Sequence, residues 1–119
     1  MGYCIEYVEK GETLAAVVRG ENTFAHAFMI AQDIAEHAVR RATRRLLIDL
    51  RGLAGRVGSL SALVMAPATQ MRCKVAVLDV PDYDSYYAFP EATARVLGGD
   101  LRYFANRDDA LDWLSERGT

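Results

Sequence analysis

Two short stretches, Arg45–Leu50 (Arg-Leu-Leu-Ile-Asp-Leu) and Lys74–Val80 (Lys-Val-Ala-Val-Leu-Asp-Val), are apolar almost without interruption. A strand with one wet face alternates apolar and polar side chains, whereas a run without alternation is covered on both faces. Two such strands require layers above and below a sheet, and the segment between them is long enough to supply a crossover. This excludes an all-helical bundle and a one-sided antiparallel sheet.

The flanking segments fit that frame. Tyr3 to Glu9 alternates, with Tyr3, Ile5 and Tyr7 against Cys4, Glu6 and Val8, which is strand period. Lys10-Gly11-Glu12 makes a turn, Leu14–Arg19 is a second strand that Gly20 ends, and the pair forms a hairpin. Asn22 caps a helix over residues 23 to 43, whose apolar face holds Phe24, Ala27, Phe28, Ala31, Ile34, Ala35, Ala38 and Ala42. The opposite face carries His26, Asp33, Glu36, His37 and Arg40, with Met29 among them as an exposed apolar side chain. After Leu50 a loop begins at Arg51-Gly52. Ser59 then caps a second helix, from Leu60 to about Met71, that Pro67 kinks. Residues 83 to 97 are helical in character and broken by Pro90. Leu101–Phe104 is the last strand, and Asn106 caps a final helix, Arg107–Arg117. The expected order is β-β-α-β-α-β-α-β-α, a mixed, mostly parallel α/β sheet in a single domain spanning residues 1–119.

Composition limits the function classes. Half of the 119 residues (51%) are hydrophobic, enough to bury a core, so intrinsic disorder is not expected. The formal net charge is −2, which argues against bulk attraction to nucleic acid. No segment approaches the ~20 apolar residues that span a bilayer, and the first residues lack the pattern of a signal peptide. Glu6 stands where a myristoylation motif wants Ser or Thr. Cys4 and Cys73 lack metal or redox spacing and read as two reduced, partly buried thiols in a cytoplasmic protein.

Candidate sites come from what the elements leave over. His26 and His37 lie ~16 Å apart along one helix at ~1.5 Å per residue, too far to share a metal, and read as a solvated face. Arg40, Arg41, Arg44 and Arg45 offset the dipole at the end of that helix and cap its carbonyls. The glycine-bearing loop from Gly52 to Gly58 matches no nucleotide motif; Arg51, Arg56 and Ser59 make it a candidate docking or modification loop. Asp79, Asp82 and Asp84 lack the spacing of a calcium loop, so no metal is expected. Tyr83, Tyr86, Tyr87 and Phe89 follow the carboxyl end of a strand, where open α/β sheets place ligands, and are candidates for a pocket mouth. The helix from Leu60 is apolar all round, so it is buried or faces a partner. Met29 and Met65 are the candidate dimer-surface residues. No nucleophile–base pair or metal-ligand set stands out, so no enzyme and no cofactor is expected.

Some strings resemble a known family. Leu101-Arg102-Tyr103-Phe104-Ala105-Asn106-Arg107-Asp108-Asp109-Ala110-Leu111-Asp112-Trp113-Leu114 is similar to the SpoIIAA-like pattern of strand, aromatic, acidic cap and Ala-Leu-x-Trp-Leu. Leu46–Leu50 resembles that family's central strand ending in Asp-Leu, and Lys74–Leu78 the strand after it. The family belongs to the STAS group of anti-sigma-factor antagonists and is also likened to the CRAL-TRIO lipid-binding fold. The resemblance implies a non-enzymatic regulatory domain that acts on a protein partner or on itself as a homodimer. The CRAL-TRIO side implies, as the alternative, a carrier or sensor of a small apolar ligand. Classical members have Asp-Ser-Ser-Gly before the next helix and are phosphorylated on a serine there; here Val57 and Gly58 replace the acidic residue and the first serine, and Ser59 remains.

Overall fold

The computed structural model describes residues 2–21, 24–54, 73–80 and 100–116, with the backbone alone for residues 24, 25, 27 and 28. Five strands and two helices fall within them: β1 (Tyr3–Lys10), β2 (Thr13–Glu21), α1 (Phe24–Arg40), β3 (Arg45–Ala54), β4 (Lys74–Leu78), β5 (Asp100–Phe104) and α2 (Arg107–Ser115). The strands form one sheet in the order β1-β2-β3-β4-β5. β1 runs antiparallel to β2 and every other pair is parallel. The mixed, mostly parallel α/β sheet expected from the sequence is therefore present. The expected helices at 60–71 and 83–97 lie outside the described residues.

The alternation of strand side chains sorts the core into two layers. Leu46, Ile48 and Leu50 of β3 join Leu14, Ala16, Val18, Val75, Val77 and Leu101 on one face, beneath Ile30, Ile34 and Ala38 of α1. Leu47 joins Ala15, Ala76 and Leu78 on the other, where Ala110, Trp113 and Leu114 of α2 cover them. β3 and β4 are thus covered on both sides, which is what their unbroken apolar character required. Lys74 strengthens the second layer: its ammonium lies 4.4 Å from the centroid of the Trp113 ring and donates to the carbonyl oxygens of Trp113 and Glu116. A cation there serves the unsatisfied end of α2. At the other end, Asn106 caps α2 as expected, its side chain accepting from the Asp109 N–H at 3.1 Å.

Most ends agree within a residue or two; four of the differences have a physical reason. β3 does not end at Leu50 but continues to Ala54. Val17 pairs with Asp49 and Arg19 with Gly52, so Leu50 and Arg51 together oppose Val18 in a bulge. The bulge shifts the alternation by one, which is why Leu50 and Leu53, three apart, face the same layer. β2 does not stop at Gly20 but runs to Glu21. Gly20 is required at φ +118°, and a Cβ there would stand 2.3 Å from the Gly2 carbonyl oxygen, which accepts from the Glu21 N–H. β4 stops at Leu78 rather than Val80: the Asp79 N–H still bonds the Phe104 carbonyl of β5 as a last rung, and the Val80 N–H turns to the Asp79 carboxylate instead. α1 ends at Arg40 rather than residue 43, with Ala42 outside the helix and exposed.

The end of α1 is a Schellman turn. Thr43 N–H bonds the Ala38 carbonyl and Ala42 N–H the Val39 carbonyl, with Ala42 left-handed at φ +51°. Glycine is the residue this position prefers, because a Cβ is strained there. Ala42→Gly is expected to raise stability by about 0.5–1 kcal/mol, read as a higher urea midpoint at unchanged slope.

Candidate functional site

In an open parallel sheet the carboxyl ends of the strands are where sites are built. Here β3 outruns β4: their pairing ends at Asp49 opposite Leu78, while β3 continues beside β2 alone. Its projecting end carries Arg51 out to the loop that the sequence marked.

Asp49 is only 5% exposed. A buried carboxylate survives only if its oxygens are satisfied, and Arg51 satisfies them. Its backbone N–H donates to Oδ1 at 3.1 Å, its Nε to Oδ1 at 3.0 Å and its Nη2 to Oδ2 at 3.0 Å. Burial pushes the Asp49 carboxyl upward, but the side-chain and backbone bonds from Arg51, with the charges of Arg51 and Arg107, outweigh it. The carboxyl is held below its ordinary value. Arg107 opens α2, so β3 and α2 meet electrostatically at Asp49. The pair fixes the carboxyl end of β3, where the Arg51 guanidinium engages both oxygens of Asp49.

Asp79, at the end of β4, is fully buried, and its Oδ1 accepts from the Val80 N–H at 2.8 Å. The Tyr103 hydroxyl donates to the Val80 carbonyl at 3.2 Å, tying this corner to β5. Among the described residues no three His, Cys, Asp or Glu side chains come together as a metal-holding group. Cys73 is buried, which pushes its thiol up to about 12, whereas Cys4 is exposed. The reading of two partly buried thiols is corrected accordingly: one is sealed and the other open.

The histidines are also corrected. They line the seam between α1 and β1 rather than a solvated face. The His37 ring stacks on Tyr7 with centroids 3.8 Å apart, and the Tyr7 hydroxyl donates to Asp33 Oδ1 at 2.9 Å. Burial, then the bond to Asp33, raises the Tyr7 phenol well above its ordinary value. His26 meets Tyr3 edge-on at 5.5 Å, and its Nδ1 lies 3.1 Å from the Glu21 carbonyl oxygen. The signal was in the sequence: Tyr3 and Tyr7 share one face of β1, and two bulky rings there need partners from the helix above.

Of the residues singled out beforehand, the structure places Arg51 on Asp49 and leaves Met29 half exposed (50%) on α1. Arg56, Ser59, Met65, Tyr83, Tyr86, Tyr87 and Phe89 lie outside the described residues, as do Asp82 and Asp84. Asp49 was missed as a site residue. An Asp inside an apolar strand with an Arg two positions on is a readable sign of a buried ion pair on one face.

No family model matches the chain, and no curated protein matches it in sequence. Solved structures do. An anti-sigma factor antagonist from Mycobacterium paratuberculosis superposes with a TM-score of 0.73 at 14% identity, covering 97% of this chain and 96% of that one. A DUF3478-family protein with a SpoIIAA-like fold from Shewanella loihica gives 0.60 at 21% identity, covering 95% and 94%. The unphosphorylated anti-sigma factor antagonist SpoIIAA gives 0.62 at 17% identity, covering 98% and 100%.

The chain has the SpoIIAA-like fold.

Its identities to these structures are low, so what they share with it is backbone architecture. Within the described part of this SpoIIAA-like fold, no helix is long and apolar enough to cross a membrane.

Proposed function

We propose that this SpoIIAA-like domain is a non-enzymatic regulatory module that binds a protein partner through the carboxyl end of its sheet. The observation that carries this reading is the near-complete likeness to anti-sigma factor antagonists, which extends over 97% of this chain for the Mycobacterium paratuberculosis protein. The loop leaving β3 at Ala54 is the contact surface, with Arg56 and Ser59 on it and the Asp49–Arg51 pair bracing its base. In the sequence Val57 and Gly58 replace the acidic residue and first serine of the regulated stretch, which favours a capping role for Ser59 over a phosphorylation switch. Self-association through Met29 and Met65 belongs to the same reading, as does a cytoplasmic location.

Cross-linking and mass spectrometry in the native cells test it. The wild-type chain is expected to retain a specific protein, Arg56→Glu to lose it, and Lys10→Glu, at the opposite, amino end of the parallel strands, to keep it. Retention that ignores Arg56→Glu, or no retained protein with the wild type, would overturn the assignment of the loop.

A further inference from the structure

At the opposite, amino end of the parallel strands, a cavity of about 360 Å³ opens where the β1–β2 turn meets the link between α1 and β3. Arg41, Arg44 and Arg45 line it within five residues of chain. Cations after a helix commonly serve its last carbonyls. Here the backbone already serves them: the carbonyls of His37, Ala38 and Val39 accept from the N–H groups of Arg41, Thr43 and Ala42. The three arginines are therefore available to the cavity they line. Arg41 bonds Glu9, and Arg45 bonds Glu12 at 3.2 Å through one contact. Arg44 has no ion-pair partner among the described residues. The cavity lining therefore holds one positive charge in excess, with Thr13 and Thr43 also on its wall.

We propose that this cavity binds a phosphate monoester group. Two guanidinium forks and two hydroxyls offer more donors than the two oxygens of a carboxylate accept, and they suit the three terminal oxygens of a phosphate. Arg44 supplies the first fork. The second is Arg45, released from Glu12, whose side chain is 82% exposed and held by that single contact. An exposed pair of this kind is weak and exchanges readily for a dianion. The volume admits a small phosphorylated molecule, being at the low end of the ~300–1,000 Å³ of ligand pockets. This site is separate from the proposed protein contact and stands or falls without it.

Titration with glycerol 3-phosphate at low ionic strength tests the proposal, followed by calorimetry and by backbone amide NMR. Vesicles of phosphatidylcholine carrying phosphatidic acid form a second arm. Saturable binding is expected in at least one arm, with amide shifts confined to residues 9–14 and 41–45. Arg44→Gln is expected to weaken it roughly tenfold, as loss of charged hydrogen bonds does. Glu12→Gln removes the competing carboxylate and tightens it severalfold, while Arg19→Gln, at the far end of β2, changes nothing. Binding in the soluble arm identifies a free ester, and binding confined to the vesicles identifies a lipid headgroup. No saturable binding in either arm, or an affinity indifferent to Arg44→Gln, would overturn the proposal.

Discussion

Arg51→Ala is expected to destabilise the domain by about 2 kcal/mol at neutral pH, less than the ~3–5 kcal/mol of a fully buried pair because Arg51 is half exposed. The loss comes from Asp49. Without the guanidinium the carboxylate, 5% exposed in the native chain, loses the neighbouring charge that compensates it. The sign with pH follows from the native state. A carboxyl held below its ordinary value of 3.8 contributes stability that is fully present above that value and is lost as pH falls through the folded value. In Arg51→Ala burial acts with less to oppose it, so Asp49 takes up a proton earlier and the variant is relieved as pH falls. Urea denaturation at pH 7 and pH 3 should therefore show a gap between wild type and variant that is wide at pH 7 and narrow at pH 3. A gap of equal size at both would mean that the pair contributes packing and not charge compensation. Because the pair braces the end of β3, amide exchange in Gly52–Ala54 should speed up in the same variant.

Trp113→Ala is expected to cost about 4 kcal/mol, the range for removing a large buried aromatic. Domains of this size have only ~5–15 kcal/mol to lose. Trp113 is 9% exposed and packs in the layer formed by Ala15, Leu47, Ala76 and Leu78. Its ring lies 5.5 Å from that of Phe104 and also receives the Lys74 ammonium at 4.4 Å. Its removal strips α2 of its largest contact with the sheet. Trp113→Phe keeps an aromatic ring and should cost less than half as much. Thermal unfolding followed by far-ultraviolet circular dichroism checks both, since Trp113 is the chain's single tryptophan and its fluorescence is absent from the variants. A cost near zero for Trp113→Ala would show that α2 is not held by this layer.

Much of the architecture was legible because it depends on local periodicity. β3 and β4 were recognisable as doubly covered strands, since Leu46, Leu47 and Ile48, like Val75, Ala76 and Val77, leave no polar side to face water. The hairpin register, Tyr3 opposite Gly20 through Lys10 opposite Thr13, follows from a turn at Gly11 with φ +63°. Asn106 was readable as a cap because the acceptor it supplies acts within one turn. The end of β3 was not legible. A pattern rule that expects period two cannot follow Leu53 across a bulge, and the bulge exists only because β2 and β3 pair with unequal numbers of residues.

The candidate site divides along the same line. That the chain would form a parallel sheet with helices on both sides, and that its loops would gather at strand ends, was written in the spacing of apolar residues. Spacing acts over a few residues, and each strand carries its own copy of it. The Asp49–Arg51 lock, the tyrosine–histidine stack across α1 and β1, and the arginine-lined cavity at the amino end were settled only in three dimensions. Each needs its side chains brought within a few ångströms in a set direction. For the seam and the cavity the residues are distant in the chain: Tyr7 from His37, and Glu12 from Arg45. For the lock they are near, but the bulge and the burial that give it meaning come from β2 and α2. Charge and ring contacts depend on distance and dielectric, which sequence spacing does not carry, whereas burial of a face depends on pattern, which it does.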